Sequence, residues 1–314
     1  YKIQPHTPFL PHHSTLRYTC CVIIDFHTHV FPPDMRDNKE RYLGSDPCFN
    51  ELFASPKARI ATAEEVIASM DEHGIAASVI MSLGWASQEA CHRVNDYVLE
   101  SAARYPGRLV PFVAIQPAAG DAAVAELERC ARGGARGVGE MRSDTQGFDL
   151  GDRDIMAPIV ELCMKHRLLF NTHSSEPVGH LYPGKGQITP GTLYRFVVNF
   201  PDLPVICSHW GGGLPFYALM PEVLSALANT YFDTAATPFL YRPEIFRHVA
   251  EIVGADKILF GTDYPLMSPK RVTSQIESLG LPPETEALIM VGNAQRLLEW
   301  SGFEVSSPSS SPLR

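Results

Sequence analysis

Two histidines one residue apart, in Ile24-Asp25-Phe26-His27-Thr28-His29, close the first β-rich run of the chain. Side chains two apart on a strand project to one side, so His27 and His29 can converge on a single ion. Taken alone, such a pair reads equally well as two incidental polar residues at a strand end. Four more metal-competent side chains follow at the ends of later β-rich runs: Glu140, His173, His209 and Asp263. Of the 12 histidines, four share this one place in a repeating pattern, which scattered surface histidines would rarely do. Several imidazoles with one or two carboxylates suit a divalent transition metal, Zn2+ first, as one ion or two, and do not suit Ca2+. Such an ion lowers the pKa of bound water toward about 7 and makes it a nucleophile at neutral pH.

These residues can meet only if the strand ends meet. From residue 21 onward, short β-rich runs alternate with segments of helical period, the pattern of repeated βα units around a parallel sheet. The pattern predicts strands near 22–26, 77–83, 109–115, 135–141, 168–172, 204–208, 230–234 and 257–261. Helices are predicted near 63–73, 87–105, 121–132, 154–166, 192–200, 215–227, 243–253 and 269–278. Eight of each match an α/β fold of the (β/α)8 TIM-barrel type better than a doubly wound sheet, which uses five or six parallel strands. Barrel closure would gather the metal-competent strand ends at one rim. Two connections are long enough to cover that rim as lids, 30–62 after the first strand and 174–191 after the fifth. Residues 1–20 read as a flexible arm or leader, 21–303 as a single barrel domain, and 304–314, with its SSPSSSP run, as a disordered tail. Segments 284–290 and 293–298 are expected to close the barrel bottom or flank it.

Composition narrows the function classes. The 314 residues are 45% hydrophobic and 19% charged, the balance of a globular chain with a sizeable core. A net charge of -9 with no dense basic run argues against a nucleic-acid partner. No apolar run approaches the ~20 residues that span a bilayer, so no membrane partner is expected. Seven scattered cysteines without a CxxC pair argue against a disulfide framework or a thiolate zinc site, and fit a cytoplasmic setting. No GxSxG nucleophile elbow is present. A homodimer is the default expectation for a soluble enzyme.

Five segments together carry a family likeness: DFHTHVFP (Asp25–Pro32), the strand-end His173, SHWGG (Ser208–Gly212), LFGTDYP (Leu259–Pro265) and GNAQRLL (Gly292–Leu298). With them the chain resembles the amidohydrolase superfamily, and within it the amidohydrolase-related branch of metal-dependent hydrolases and decarboxylases. The resemblance implies that His27, His29, His173 and Asp263 bind the principal metal, with Asp263 also taking a proton from metal-bound water. It leaves His209 as either a ligand of a second metal or a catalytic acid/base. Glu140 occupies the strand end where many relatives carry a carboxylated Lys bridging two ions, and where TatD-like relatives carry a Glu. It is therefore either a bridging ligand or an ion-pair partner of Arg142.

Arg142, two residues beyond Glu140, could hold a substrate carboxylate bidentately, or pair structurally with Asp144 or Asp25. His180, Tyr182 and Lys185, in the connection after the fifth strand, are candidate substrate contacts from a lid, and Trp210 is expected as a pocket wall. The glycines at 211–213 let the chain turn past the site and do not form a phosphate cradle. The leading expectation is a metal-dependent hydrolase whose activated water cleaves an amide, lactone or ester of a small molecule. The alternative is a mononuclear zinc non-oxidative decarboxylase of an unsaturated or aromatic carboxylic acid, with His209 protonating carbon and an arginine holding the carboxylate; Glu140 counts against it. A third reading is a non-catalytic metal-binding barrel, which would show a broken metal position.

Overall fold

The computed structural model describes residues 22–305. Its strands are β1 (Ile23–His29), β2 (Ile75–Met81), β3 (Leu109–Val113), β4 (Gly137–Met141), β5 (Leu169–Thr172), β6 (Val205–Cys207), β7 (Thr230–Asp233) and β8 (Ile258–Leu259). They form one sheet in sequence order with every neighbouring pair parallel. The last strand region returns to β1 through Phe26 N to Phe260 O (2.7 Å), His29 N to Tyr264 O (2.7 Å) and Asp263 N to His27 O (2.9 Å). The sheet therefore curls into a barrel, and with its intervening helices it is the expected (β/α)8 fold.

Helices Ala63–His73 and Asp121–Arg132 occupy the predicted spans. The first opens on a capping box, in which Thr62 N donates to Glu65 Oε2 at 2.8 Å. The predicted helix 215–227 is instead broken into a 3-10 turn, Leu214–Leu219, and a short helix, Pro221–Ala226. Pro221 has no N–H to continue the first segment and starts the second. The connection 30–62 carries two short helices, Pro33–Asp37 and Pro47–Phe53, each with Pro in its first turn. The expected arm, 1–20, and the tail beyond Val305 lie outside the described residues.

Alternate strand residues feed two cores. Phe170, Val205, Cys207, Phe232 and Ile258 pack outward with helix residues such as Phe196 and Phe246. Leu169, Ile206, Tyr231 and Leu259 pack inward with Ile24, Phe26, Val79 and Phe112, and Ala294, Leu297 and Leu298 of helix Asn293–Trp300 complete this floor. Because Ile24 and Phe26 face inward, a regular β1 would send His27 and His29 outward among the helices. Between Asp25 and Thr28 it does not stay regular: β1 advances three residues while β2 advances two, from Ser78 to Ile80. This bulge resets the phase and turns both histidines into the barrel mouth. β4 shows the same mismatch, Val138 to Met141 against Phe170 to Thr172, and between them Glu140 turns inward. Gly139 permits it, with φ at 148°, and a Cβ there would lie 2.8 Å from Asn171 Cβ and the Asn171 carbonyl oxygen.

Candidate active site

The five strand ends converge as the topology requires. His27 Nε2 lies 3.1 Å from His29 Nε2, and Asp263 Oδ1 lies 3.2 Å from His29 Nε2 and 3.8 Å from His27 Nε2. Glu140 links this trio to the other two imidazoles. Its Oε2 is 3.8 Å from His29 Nε2, while its Oε1 is 3.0 Å from His173 Nδ1 and 3.5 Å from His209 Nε2. Three overlapping triads result, His27/His29/Glu140, His27/His209/Asp263 and Glu140/His173/His209, each with donor atoms within 4.8 Å of one another. All six residues are thus in one ring.

Hydrogen bonds behind the ring aim it. His27 Nδ1 sits 2.8 Å from Asp233 Oδ2, His29 Nδ1 3.2 Å from the Ser82 carbonyl, and His209 Nδ1 3.2 Å from the Ala235 carbonyl. Each bond occupies the outer nitrogen and leaves Nε2 facing the mouth. Asp233 also accepts from the backbone N–H groups of His209 (2.9 Å) and Ala235 (3.1 Å). One carboxylate therefore registers β1, β6 and β7 against each other. Asp233 was missed from the sequence; the available signal was its place at the end of the predicted strand 230–234. Asp25 accepts from His27 N (3.1 Å), Thr262 N (3.0 Å) and Thr262 Oγ1 (2.6 Å), and burial pushes its carboxyl up to about 7. His209 (φ 53°) and Asp263 (φ 68°) both hold left-handed backbone, strain of the kind that persists where surrounding bonds over-determine a site.

The ring's electrostatics favour a cation. Burial works against charge on His27, but the charge of Asp233 and the bond to it prevail and push the imidazole up to about 10. For His209, burial is outweighed by the bond to Glu140 and the charge of Asp263, which push it up to about 9. Burial and the Arg142 guanidinium push His173 down. Despite burial, the imidazoles hold Glu140 well below the usual carboxylate range and keep Asp263 lowered too. Among the described residues no Lys or Arg lies within ion-pair distance of Glu140 or Asp263. Two buried carboxylates met only by imidazoles, whose protons a metal ion displaces on binding, fit a divalent cation.

A cavity of about 470 Å³ opens over the ring. Leu52, Phe53, Leu83, Phe239, Leu240 and Leu266 give it apolar walls, and Arg142, Lys57 and Arg59 give it positive charge. Arg142, only 1% exposed, pairs with Asp144 (Nε to Oδ1, 3.3 Å) and Glu51 (Nη2 to Oε2, 3.5 Å), and not with Asp25. His180 and Tyr182 line the cavity, and Tyr182 Oη donates to Glu176 Oε2 at 3.0 Å. Lys185 does not line it; its Nζ turns back onto the carbonyls of Val178 (2.6 Å) and His180 (3.1 Å). Trp210 is not a wall either. The left-handed turn at His209 and Trp210 sends the indole away from the mouth, where Nε1 donates to Thr237 Oγ1 (2.8 Å) and the ring stands edge-on to Phe246. Phe53 and Phe239 join Tyr182 as aromatic walls, and sequence periodicity could not distinguish these two from core positions.

The barrel, its rim of buried imidazoles and carboxylates, and the order of the motifs define one class. The amidohydrolase family pattern matches residues 24–300, and the chain belongs to that family. It is 24% identical over 284 residues to gamma-resorcylate decarboxylase of Polaromonas sp. (strain JS666 / ATCC BAA-500), covering 73% of this chain and 85% of that protein. It is 23% identical over 335 aligned positions to 2-amino-3-carboxymuconate-6-semialdehyde decarboxylase of Dictyostelium discoideum, covering 90% and 92%. The crystal structure of dihydroxybenzoic acid decarboxylase from Polaromonas sp. JS666, with bound manganese and the inhibitor 2-nitroresorcinol, superposes with a TM-score of 0.65 at 21% identity, covering 89% of this chain and 97% of that one.

These relatives correct the leading expectation of the sequence. Cleavage of an amide, lactone or ester by activated water is overturned, because the matched proteins are named decarboxylases. The chain is an enzyme of the amidohydrolase superfamily whose described residues could hold a divalent metal. No helix among the described residues is long and apolar enough to cross a membrane.

Proposed function

We propose that this chain is a metal-dependent, non-oxidative decarboxylase of a small aromatic or unsaturated carboxylic acid. The observation that carries the reading is one cavity that joins the donor ring to a buried guanidinium beneath apolar walls; the relatives named as decarboxylases support it. His27, His29 and Asp263 would hold the ion, with Glu140 and His173 alongside, and Mn2+, found in the solved relative, is the ion to supply first. When bound, a divalent ion supplies positive charge that offsets the charge of the entering acid and of the electron-rich ring.

The remaining chemistry belongs to side chains. Arg142 has five N–H donors, and its present acceptors lie at 3.3–3.5 Å, so it retains capacity to hold a carboxylate oxygen of the substrate. Phe53 and Phe239 confine a planar ring and exclude water, which strengthens each charge contact inside. His209 delivers its proton to the carbon that bears the carboxylate. The bond from that carbon to the carboxyl group then breaks, its electron pair restores the unsaturated system, and CO2 leaves. Glu140, 3.5 Å from His209 Nε2, supports the protonated imidazole before the transfer, and solvent reprotonates the neutral ring afterwards.

The test is CO2 release by protein supplied with Mn2+ or Zn2+ and offered 2,6-dihydroxybenzoate, related hydroxybenzoates and unsaturated acids, beside a panel of amides, lactones and esters. One CO2 per product from at least one acid, falling about 10²–10⁴-fold in His209→Ala, is expected. Cleavage within the amide, lactone or ester panel, with no CO2 from any acid, would overturn the proposal.

A further inference from the structure

Two acidic side chains join Arg142 to the long connection after β5. Glu51, on helix Pro47–Phe53, receives Arg142 Nη2 on Oε2 at 3.5 Å and the backbone N–H of Gly184 on Oε1 at 2.9 Å. Asp144 receives Arg142 Nε on Oδ1 at 3.3 Å and Nη2 on Oδ2 at 3.4 Å, and the same Oδ2 accepts Gln187 N at 2.8 Å. Between them, Gly186 N donates to Ser175 Oγ at 2.9 Å, and that hydroxyl lies 3.1 Å from His173 Nε2. Three backbone N–H groups within four residues thus end on side chains that touch Arg142 or His173. The fit is close. A Cβ on Gly184 (φ 93°) would stand 2.9 Å from Leu52 Cδ2, one residue beyond Glu51.

Charge accounts for the arrangement. Arg142 is almost wholly buried, so its cation needs anionic partners, and both of those present are also acceptors for 184–187. Neither acid can leave the guanidinium without loosening the connection, and neither can be held in place once the guanidinium is gone, because two partly buried carboxylates would then face each other. Arg142 itself donates no hydrogen bond to 184–187.

We propose that Glu51 is a positioning residue that couples the order of the 174–191 connection to the placement of the Arg142 guanidinium. The β1 and β5 connections then form one lid, clasped over the cavity by a residue that need not touch substrate. The use of this coupling in turnover rests on the reading above, in which Arg142 receives the substrate's carboxylate; the coupling itself does not.

Lys185 supplies the readout, since its Nζ is held on the carbonyls of Val178 and His180 and opening of this segment speeds tryptic cleavage after it. The experiment is limited trypsinolysis of the full chain, following the Lys185–Gly186 bond by mass spectrometry in Glu51→Ala, Glu51→Gln, Arg142→Gln and the double variant Glu51→Ala/Arg142→Gln. Glu51→Ala is expected to be cut about tenfold faster, the loss of one charge-assisted hydrogen bond read through the open population. Glu51→Gln keeps an oxygen for Gly184 but turns its amide N–H toward the Arg142 guanidinium, so it is expected to be cut faster than the parent and more slowly than Glu51→Ala. Arg142→Gln accelerates the same cut, and the double variant is no faster than about twice the quicker single variant, because both act on one clasp. Cleavage of Glu51→Ala at the parental rate, or single effects that multiply in the double variant, would overturn the proposal. If Arg142→Gln does not fold, the Ala and Gln variants at Glu51 decide alone. The clasp pattern without CO2 release from any acid would retain the coupling and refute only the decarboxylase reading.

Discussion

The two ends of the barrel interior are built from the same eight strands and solve opposite problems. At the floor, Ile24, Phe26, Phe112, Leu169, Ile206 and Leu259 bury apolar surface against helix Asn293–Trp300, with Phe26 edge-on to Phe112 at 5.9 Å. At the mouth, positions that are also buried hold His27, Glu140, His173, His209 and Asp263, groups whose burial is costly unless they meet each other or a cation. The change of character along β1 takes one residue, from Phe26 to His27, and it takes a bulge. The floor shows that alternation alone builds a stable barrel; the mouth shows that breaking alternation at two strands turns a barrel into a site.

The widest separation between the ends should appear in Asp263→Ala and Phe112→Ala. Asp263→Ala is expected to lower CO2 release about 10³-fold, read in the Mn2+-supplied assay. Phe112→Ala is expected to lose about 3–5 kcal/mol of stability in chemical denaturation, with metal binding per folded molecule retained. Metal loss in Phe112→Ala at denaturant-free conditions, with the fold intact, would blur the division. Asp233→Asn probes the layer between them: loss of the anion behind His27 Nδ1 should weaken metal affinity about 10–100-fold, measured by competition with a chelator, with little change in melting.

A smaller effect, outside both ends, sharpens the contrast. Glu126, on helix Asp121–Arg132, accepts from Arg129, Asn95 and His92 at 2.8 Å each. Burial opposes its charge, but these bonds hold its carboxyl down at about 2. Its folded pKa lies below the unfolded value, so its contribution is present above about pH 4.5 and disappears as pH falls toward 2. With His92 and Arg129 about half exposed, solvent screening reduces that contribution to about 1 kcal/mol. Glu126→Gln should therefore narrow the gap in stability between pH 6 and pH 3 by roughly half of that amount, because the folded carboxyl at about 2 is still largely ionised at pH 3, while CO2 release at pH 7 stays unchanged. An unaltered gap would show that the network contributes nothing measurable.

Much of this contrast was legible in the sequence, and the illegible part has physical causes. Eight β-rich runs alternating with helical ones led directly to the barrel, and His27, His29, Glu140, His173, His209 and Asp263 were found because strand ends are where barrel chemistry sits. The bulges were not legible: nothing in the spacing of Phe26 and His27 distinguishes an inward from an outward histidine. Trp210 was misplaced because the left-handed backbone at His209 reverses the side-chain direction a strand would give. Glu51 was invisible because its partners, Arg142 and Gly184, are 91 and 133 residues away in the chain. The expected hydrolysis is overturned by the relatives named as decarboxylases; imidazoles and carboxylates at strand ends name no reaction by themselves, and the cavity walls above them come from separate connections.

The most direct measurement is the binding of Mn2+ to metal-stripped protein, following free Mn2+ by electron paramagnetic resonance, in the parent, His27→Ala and Phe112→Ala. Saturable binding in the parent and in folded Phe112→Ala, lost in His27→Ala, is the predicted result and would establish the mouth as the metal centre on which the proposed reaction depends. Binding that survives His27→Ala unchanged, or no saturable binding in the parent, would contradict it.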